Sequence, residues 1–356
     1  MKILIIQQKM IGDVLASSIL FEAIKHQYPD AELHYLINTH TFPVVDQNPY
    51  IDKIQFFTPE HENSKLKLFK LAKQLRKENY DVIIDVYSKL SSNLITLLSK
   101  AKIKISIDKS RNKLLYTNLY KHKAKADTNA GLAIENRLQL LQPINIDSSK
   151  IVRPKIYLTK EEESAAKAFL ESYNIDTNKP LYMIGVLGSG SNKTYPFDYM
   201  ASVIDTIVTT QPESQILFNY IPKQEADAKA ILNLCAPKTQ DNVHFNVFGK
   251  SLRDFLAITQ HCDALIGNEG GAINMAKALN IPTFTIFSPW IKKEAWNMFD
   301  DGIKHVSVHL KDYDKQPYLD IKHPKELKSK ASDLYLKFKP SLFEEGLVKF
   351  LERLQA

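Results

Sequence analysis

Asp13 follows Gly12 in "QQKMIGDVLASS" (7–18), where the apolar run Ile3-Leu4-Ile5-Ile6 gives way to a helical pattern. A buried strand that empties into a helix through a short glycine-containing loop is a usual place for a ligand in α/β proteins. Asp13 at this junction reads in two ways. As a helix-start acid it is a cap, stabilised as the anion, which weakens it as a base. Enclosed in a closed cleft, the same carboxylate regains proton affinity and can take a proton from a substrate hydroxyl.

A second group of residues has the chemistry of an anion site. "IGNEGGAINMAKAL" (266–279) sets Gly267, Gly270 and Gly271 between an apolar run and a helix. Glycines let a phosphate approach the backbone, and the free N–H groups of a helix start attract anions. The stretch is neither a dinucleotide GxGxxG nor a Walker loop, and alone it is equally a tight turn. "GSGSNKTYP" (188–196) is another small-residue loop after a strand and before a helix. Ser189 and Ser191 offer hydroxyls there, and Lys193 offers a point charge. Two such loops at the carboxyl ends of parallel strands face one edge of the sheet, the edge where ligands bind. Together they point to a nucleotide or diphosphate site. Glu225 opens a helix after "SQILFNY" (214–220). It reads either as a partner for two ribose hydroxyls or as an acid favoured by the helix start. The histidines show no metal spacing, and there is no GxSxG, HExxH or CxxC, so no metal site is expected.

The elements that position these residues alternate between strand and helix. "KILIIQ", "ELHYLIN", "IDKIQFF", "YDVIIDVY" and "KIKISID" read as strands. Residues 13–27 and the basic stretch 64–78 read as amphipathic helices. Residues 109–130 are polar and basic, either a solvated loop or one that meets an anionic acceptor. The proline-containing stretch 142–163 reads as a domain linker. The second half repeats the pattern with strands at 181–188, 214–220 and 243–249, then strand, glycine turn, helix and strand across 263–287, and a last amphipathic helix at 341–354. The expected fold class is α/β, with two doubly wound units. The expected domains are 1–155, 156–340 and a C-terminal helical segment 341–356.

Bulk composition narrows the function classes. The chain has 356 residues, 44% hydrophobic and 24% charged, which suits two globular domains. Its formal charge of +7 is too small to argue for nucleic acid, and fits an anionic substrate or an acidic membrane surface. Cys235 and Cys262 lack disulfide or metal spacing, which favours a reducing compartment. The first apolar run is too short for a signal peptide and no stretch is long enough to span a bilayer. The expected location is cytoplasmic, with a possible peripheral contact at the inner face of the membrane.

These stretches resemble glycosyltransferase family 9, the ADP-heptose:lipopolysaccharide heptosyltransferases. "ILIIQQKMIGDVLASSILFEAIKHQYPDAELHYL" is similar to the family's N-terminal signature. "YDVIIDVYSKLSSNLI" is similar to its YDxVIDLQGxxRS segment, and "GSGSNKTYPFDYMASVI" to its GSxxxxKxWP donor loop. "GKSLRDFLAITQHCDALIGNEGGAINMAKALNIPTFTIFSP" resembles its most specific block, which contains N-D-T-G-x-x-H. The resemblance runs from Lys2 to Pro289. It implies a GT-B fold, two Rossmann-like domains facing across a cleft, with an N-terminal acceptor domain and a C-terminal donor domain. It also implies an inverting transfer without metal or other cofactor.

Carried over by position, Asp13 is the catalytic base, with Gly12 in the acceptor-side loop. Lys193 binds the donor diphosphate with Ser189 nearby, and Glu225 holds the ribose. The backbone around Lys250 and Ser251 meets the adenine. Glu269, Gly270 and Gly271 cradle the phosphates, with Asn274 one turn on. Four departures stand out. Glu269-Gly270-Gly271 replaces Asp-Thr-Gly, Asn274 replaces His, Tyr195 replaces Trp, and Asp85-Val86-Tyr87-Ser88 replaces Asp-Leu-Gln-Gly. The expected partners are a nucleotide-sugar donor, most simply ADP-heptose, and an anionic glycolipid or glycan acceptor. The rival readings are a nucleotide-sugar epimerase of the same fold and a non-catalytic nucleotide-sugar-binding protein.

Overall fold

The computed structural model describes residues 1–109, 113–319 and 324–355. They form two units. One comprises Met1–Tyr157 with Glu294–Met298, the other Leu158–Lys293 with Phe299–Ala356.

The first unit is built on six parallel strands: β1 (Lys2–Ile6), β2 (Glu32–Asn38), β3 (Lys53–Phe57), β4 (Val82–Asp85), β5 (Ile103–Ile107) and β6 (Asn118–Tyr120). Their spatial order is β3-β2-β1-β4-β5-β6. Ile3, Leu4, Ile5 and Ile6 are all fully buried. A strand covered on both faces has no polar side to show, so it reads as a continuous apolar run. Chain order reverses between β1 and β4, which makes their carboxyl ends the switch point of the sheet. The loop after β1 carries Asp13, and the loop after β4 carries residues 86–89.

Several expectations for this unit are corrected. The single helix at 13–27 is two helices, Ile11–Ser17 and Ile19–Gln27. The Ser18 hydroxyl donates to the Leu15 carbonyl at 2.7 Å, giving the backbone a competing partner at the break. Helix Lys65–Lys77 forms as expected, with Leu71, Ala72 and Leu75 buried in a core shared with Phe57, Tyr80 and Ile95. Helix Leu90–Leu98 and strand β6 were not expected. β6 lies inside the polar stretch 109–130, where the Thr117 N–H donates to the Lys104 carbonyl and begins the pairing with β5. Residues 110–112 of that stretch lie outside the described residues.

The second unit has five parallel strands: β7 (Leu181–Gly185), β8 (Gln215–Phe218), β9 (Ala264–Asn268), β10 (Thr283–Ile286) and β11 (His305–Val308). Their order is β11-β10-β9-β7-β8, so the switch point lies between β7 and β9. The expected strand at 243–249 does not form. Val243 makes an isolated bridge to Ile216, after which Phe245 stacks on Tyr220 with ring centroids 5.1 Å apart. The C-terminal helix, Glu344–Arg353, is part of this unit rather than a separate segment. Leu347, Phe350 and Leu351 are buried in its core, each worth about 1.5–3 kcal/mol.

The chain passes from the first unit to the second after Tyr157, and Glu294–Met298 then returns to the first. The expected uninterrupted second domain omitted that return. On that return, the Trp296 ring centroid lies 5.9 Å from the Arg137 guanidinium. Among the described residues, no helix is long and apolar enough to cross a membrane.

Candidate active site

Asp13 sits in the first turn of helix Ile11–Ser17. Met10, just before that helix, holds a left-handed φ of 67°, a strained conformation for a residue with a side chain. The Asp13 carboxylate does not cap the helix. Its Oδ1 accepts from Arg137 Nη2 at 2.6 Å. The same guanidinium donates from Nε to Ser17 Oγ at 2.8 Å and from Nη1 to the Ala133 carbonyl at 2.6 Å. Ser17 Oγ in turn donates to the Asp13 carbonyl at 2.8 Å. Arg137 is 9% exposed and Asp13 26%. A planar fork with each nitrogen occupied has little freedom, so it fixes the carboxylate it binds. Among the described residues, Oδ2 accepts no hydrogen bond.

The carboxylate borders a cavity of about 580 Å³. Lys9, Lys89, Lys109, Lys123 and Arg137 line it, with His122, while Asp13 is the one acid among the described lining residues. Lys109 donates to the carbonyls of Tyr87 and Ser88 at 2.9 and 3.2 Å. Its pKa is lowered by burial, and further by Lys89. Burial also lowers His122, helped by Lys109 and Arg137. Lys9 pairs with Glu62 and Lys123 with Asp127 and Glu135, so Lys89 and Lys109 are the lining cations that most favour an anionic occupant. Below the cavity, Asp85 is fully buried and anchors the 86–89 loop. It accepts from the Ser88 N–H at 2.7 Å and from the Tyr116 hydroxyl at 2.5 Å, and burial raises its pKa.

In the second unit, the loops after β7 and β9 meet at the switch point. Asn268 joins them. Its Nδ2 donates to the Gly185 carbonyl at 2.9 Å, and its Oδ1 accepts from the Tyr195 N–H at 2.8 Å. Gly267 (φ 136°) lets β9 approach β7, for a Cβ there would lie 2.4 Å from the Gly185 oxygen. The 188–194 loop folds on itself through Thr194, whose hydroxyl accepts from the Gly188 N–H and donates to the Gly190 carbonyl. Ser288 and Trp290 both donate to the Asn192 carbonyl, at 2.8 and 2.7 Å. The next residue, Lys193, is therefore held at its backbone, and its Nζ lies 3.0 Å from Glu269 Oε1.

The structure thus brings together Lys193, Glu269, Gly270 and Gly271, but pairs the two charged groups with each other. A diphosphate bound to Lys193 must share it with Glu269. Ser189 is exposed on the same loop, and Asn274 is half-buried on helix Gly271–Ala278. Glu225 is exposed at the start of helix Glu225–Leu234, next to Gln224, which donates to the Gly188 carbonyl at 3.0 Å. Lys250 and Ser251 are exposed, and Ser251 is the N-cap of helix Leu252–Gln260. The Ser251 N–H already donates to Asp254 at 3.0 Å. Lys250 borders a cavity of about 450 Å³ lined by apolar residues such as Phe169, Phe248 and Ile258 and by charged Glu161, Glu162, Arg253 and Asp254. In the first unit, Gly12 lies in the helix one residue before Asp13. The sequence reading missed Arg137, Lys109 and Asn268. A lone arginine in the apolar run "LAIENRLQLL" was the available signal for the first.

Two doubly wound parallel sheets, each with polar loops at its switch point, are the architecture of the GT-B fold class. Solved structures share this fold. The glycosyl transferase family 9 structure from Veillonella parvula DSM 2008 aligns at a TM-score of 0.75 and 16% identity, covering 94% of this chain and 97% of that one. The structure of E. coli ADP-heptose lps heptosyltransferase II aligns at 0.69 and 18%, covering 95% and 99%. Residues 68–325 match the sequence model of glycosyltransferase family 9 (heptosyltransferase), and the chain belongs to that family. It is 27% identical over 296 residues to lipopolysaccharide heptosyltransferase 1 of Campylobacter coli, covering 81% of this chain and 84% of that protein.

Proposed function

We propose that this glycosyltransferase moves a heptosyl group from ADP-heptose to a sugar of a lipopolysaccharide core or related surface glycan precursor, with inversion at the anomeric carbon. Family membership and the names of its relatives support the donor and acceptor classes. The observation that carries the mechanism is the Asp13 carboxylate, clamped through one oxygen by Arg137 beside a cationic cavity.

The first unit takes the acceptor and the second the donor. The acceptor hydroxyl oxygen forms a bond to the anomeric carbon as the bond from that carbon to the diphosphate oxygen breaks. Asp13 accepts the hydroxyl proton as general base. Lys193 and the N–H groups at the start of helix Gly271–Ala278 meet the negative charge that develops on the leaving diphosphate. Glu225 takes the ribose, and the backbone at Lys250 takes the adenine. No metal or cofactor has a part in this scheme.

The test measures ADP release and glycosylated product with ADP-heptose and a delipidated core acceptor, with and without magnesium. Asp13→Asn should lower kcat by about 10³-fold, while calorimetry finds ADP bound as in the wild type and in preference to UDP, GDP or CMP. An unchanged rate in Asp13→Asn removes the base assignment. An epimerised sugar formed without acceptor supports the epimerase, and nucleotide binding without turnover supports the non-catalytic protein.

A further inference from the structure

The chain has two tryptophans, and their indole N–H groups are used differently. That of Trp290 donates to the Asn192 carbonyl at 2.7 Å. Trp296 is half-buried and borders the cavity of Asp13. Among the described residues, its indole N–H donates no hydrogen bond. A buried indole N–H usually finds a partner, so one left on a cavity wall is open to a ligand.

Two features seat Trp296 there. It ends the short helix Lys293–Trp296, and the next residue, Asn297, passes close to Gly131. Gly131 holds a left-handed φ of 84°, and a Cβ on it would lie 2.8 Å from the Asn297 carbonyl oxygen. Glycine meets both demands, of conformation and of close approach. The helix that follows Gly131, Leu132–Leu138, brings Ala133, Asn136 and Arg137 to the same cavity. Arg137 is the second feature. Its guanidinium is held by bonds to Asp13, Ser17 and Ala133, and it lies 5.9 Å from the Trp296 ring centroid. A cation fixed in this way pins the ring it attracts, and the same cation holds Asp13.

The cavity thus combines a seated aromatic ring, an open N–H donor on that ring and, among the described residues, an unengaged acceptor in Asp13 Oδ2. The face of an indole is negative and attracts polarised C–H groups. A sugar ring carries C–H groups on its faces and hydroxyls around its rim, so it matches a ring with a donor at its edge. A bare phosphate would meet Lys89 and Lys109 and leave the indole without a role. We propose that Trp296 is an acceptor-binding residue: a sugar ring of the acceptor packs on its indole, and a hydroxyl of that sugar accepts from its N–H beside Asp13. This role rests on the assignment of the acceptor to the first unit.

Kinetics of the full chain test it, with ADP-heptose saturating and a delipidated core oligosaccharide varied. Trp296→Leu keeps apolar bulk and loses both the ring face and the N–H. Its acceptor KM should rise about 10-fold, with kcat changed far less and ADP bound as in the wild type. Trp296→Phe keeps a ring and loses the N–H, so its KM should rise by only about 2- to 5-fold. An unchanged acceptor KM in Trp296→Leu overturns the role. So does a fall in kcat at unchanged KM, which marks Trp296 as a support for Arg137 and Asp13 alone. A binding measurement separates this result from the proposed reaction. In Trp290→Phe the sole tryptophan is Trp296, and its emission should change as the core oligosaccharide is added without donor. That change in a protein that transfers no heptose upholds the sugar site and removes the reaction. An emission that the oligosaccharide leaves unchanged overturns the site.

Discussion

Each unit pairs a carboxylate with a cation at the switch point of its sheet, and the two pairs are inverted. In the first unit the buried member is Arg137 at 9% exposure, and the exposed member is Asp13 at 26%. In the second the buried member is Glu269 at 9%, and the exposed member is Lys193 at 30%. Arg137 is fixed by hydrogen bonds from all three of its nitrogens, whereas Glu269 meets Lys193 as an ion pair and its buried Oε1 has no hydrogen-bond partner among the described residues. The first unit therefore presents an acid oriented by a cation, and the second a cation beside an acid. The same pairing, turned over, leaves a carboxylate at one switch point and a lysine at the other.

Lys193→Ala and Glu269→Gln test the inversion most sharply after Asp13 itself. Loss of a charge-assisted contact of about 1.5–3 kcal/mol should weaken ADP about 10- to 150-fold in Lys193→Ala. Glu269→Gln should act in the opposite direction. It frees Lys193 from a competing carboxylate, and ADP should bind several-fold more tightly by calorimetry. If both variants weaken ADP alike, Glu269 is itself part of the cradle and the two units are not inverted.

Arg137 is a positioning residue, so its expected effect is smaller. Arg137→Lys keeps a positive charge but loses the planar fork that reaches Ser17, Ala133 and Asp13 together. It should lower kcat about 10-fold while ADP binding stays as in the wild type, because the proposed nucleotide site lies in the other unit. A merely structural role for Arg137 would lower Tm and leave the kcat of the folded enzyme unchanged.

The parts of both sites that are legible in the sequence are the ones made by local chain. A buried apolar strand followed by small residues and a helix start announces itself at Asp13, at 188–196 and at 266–279. The ion pairs are not local. Lys193 meets Glu269 because β7 and β9 are neighbours, with Gly185 opposite Gly267, although β8 lies between them in the chain. Arg137 meets Asp13 through a helix that reads as plain core. The failed strand at 243–249 has the same origin. Val243, Phe245 and Val247 alternate as a strand should, but Phe245 gains more from stacking on Tyr220, and alternation cannot report that.

The loops after the inner strands also differ in how they treat left-handed backbone. The second unit places Gly267 where a side chain would collide with β7. The first places Ser88 at φ 48°, where the family pattern Asp-Leu-Gln-Gly has its glycine. A side chain in that region costs about 1–2 kcal/mol, whereas glycine gives back about 0.5–1 kcal/mol in chain entropy. Ser88→Gly should therefore stabilise the protein by about 0.5–1 kcal/mol, with Tm raised by about 1–3 °C. The loop's other anchors do not depend on the Ser88 side chain. The Ser88 N–H still donates to Asp85, and its carbonyl still accepts from Lys109. A lower Tm in calorimetry would mean that contacts of the buried Ser88 hydroxyl outweigh the strain. The first unit would then have replaced a conformational solution with a bonded one.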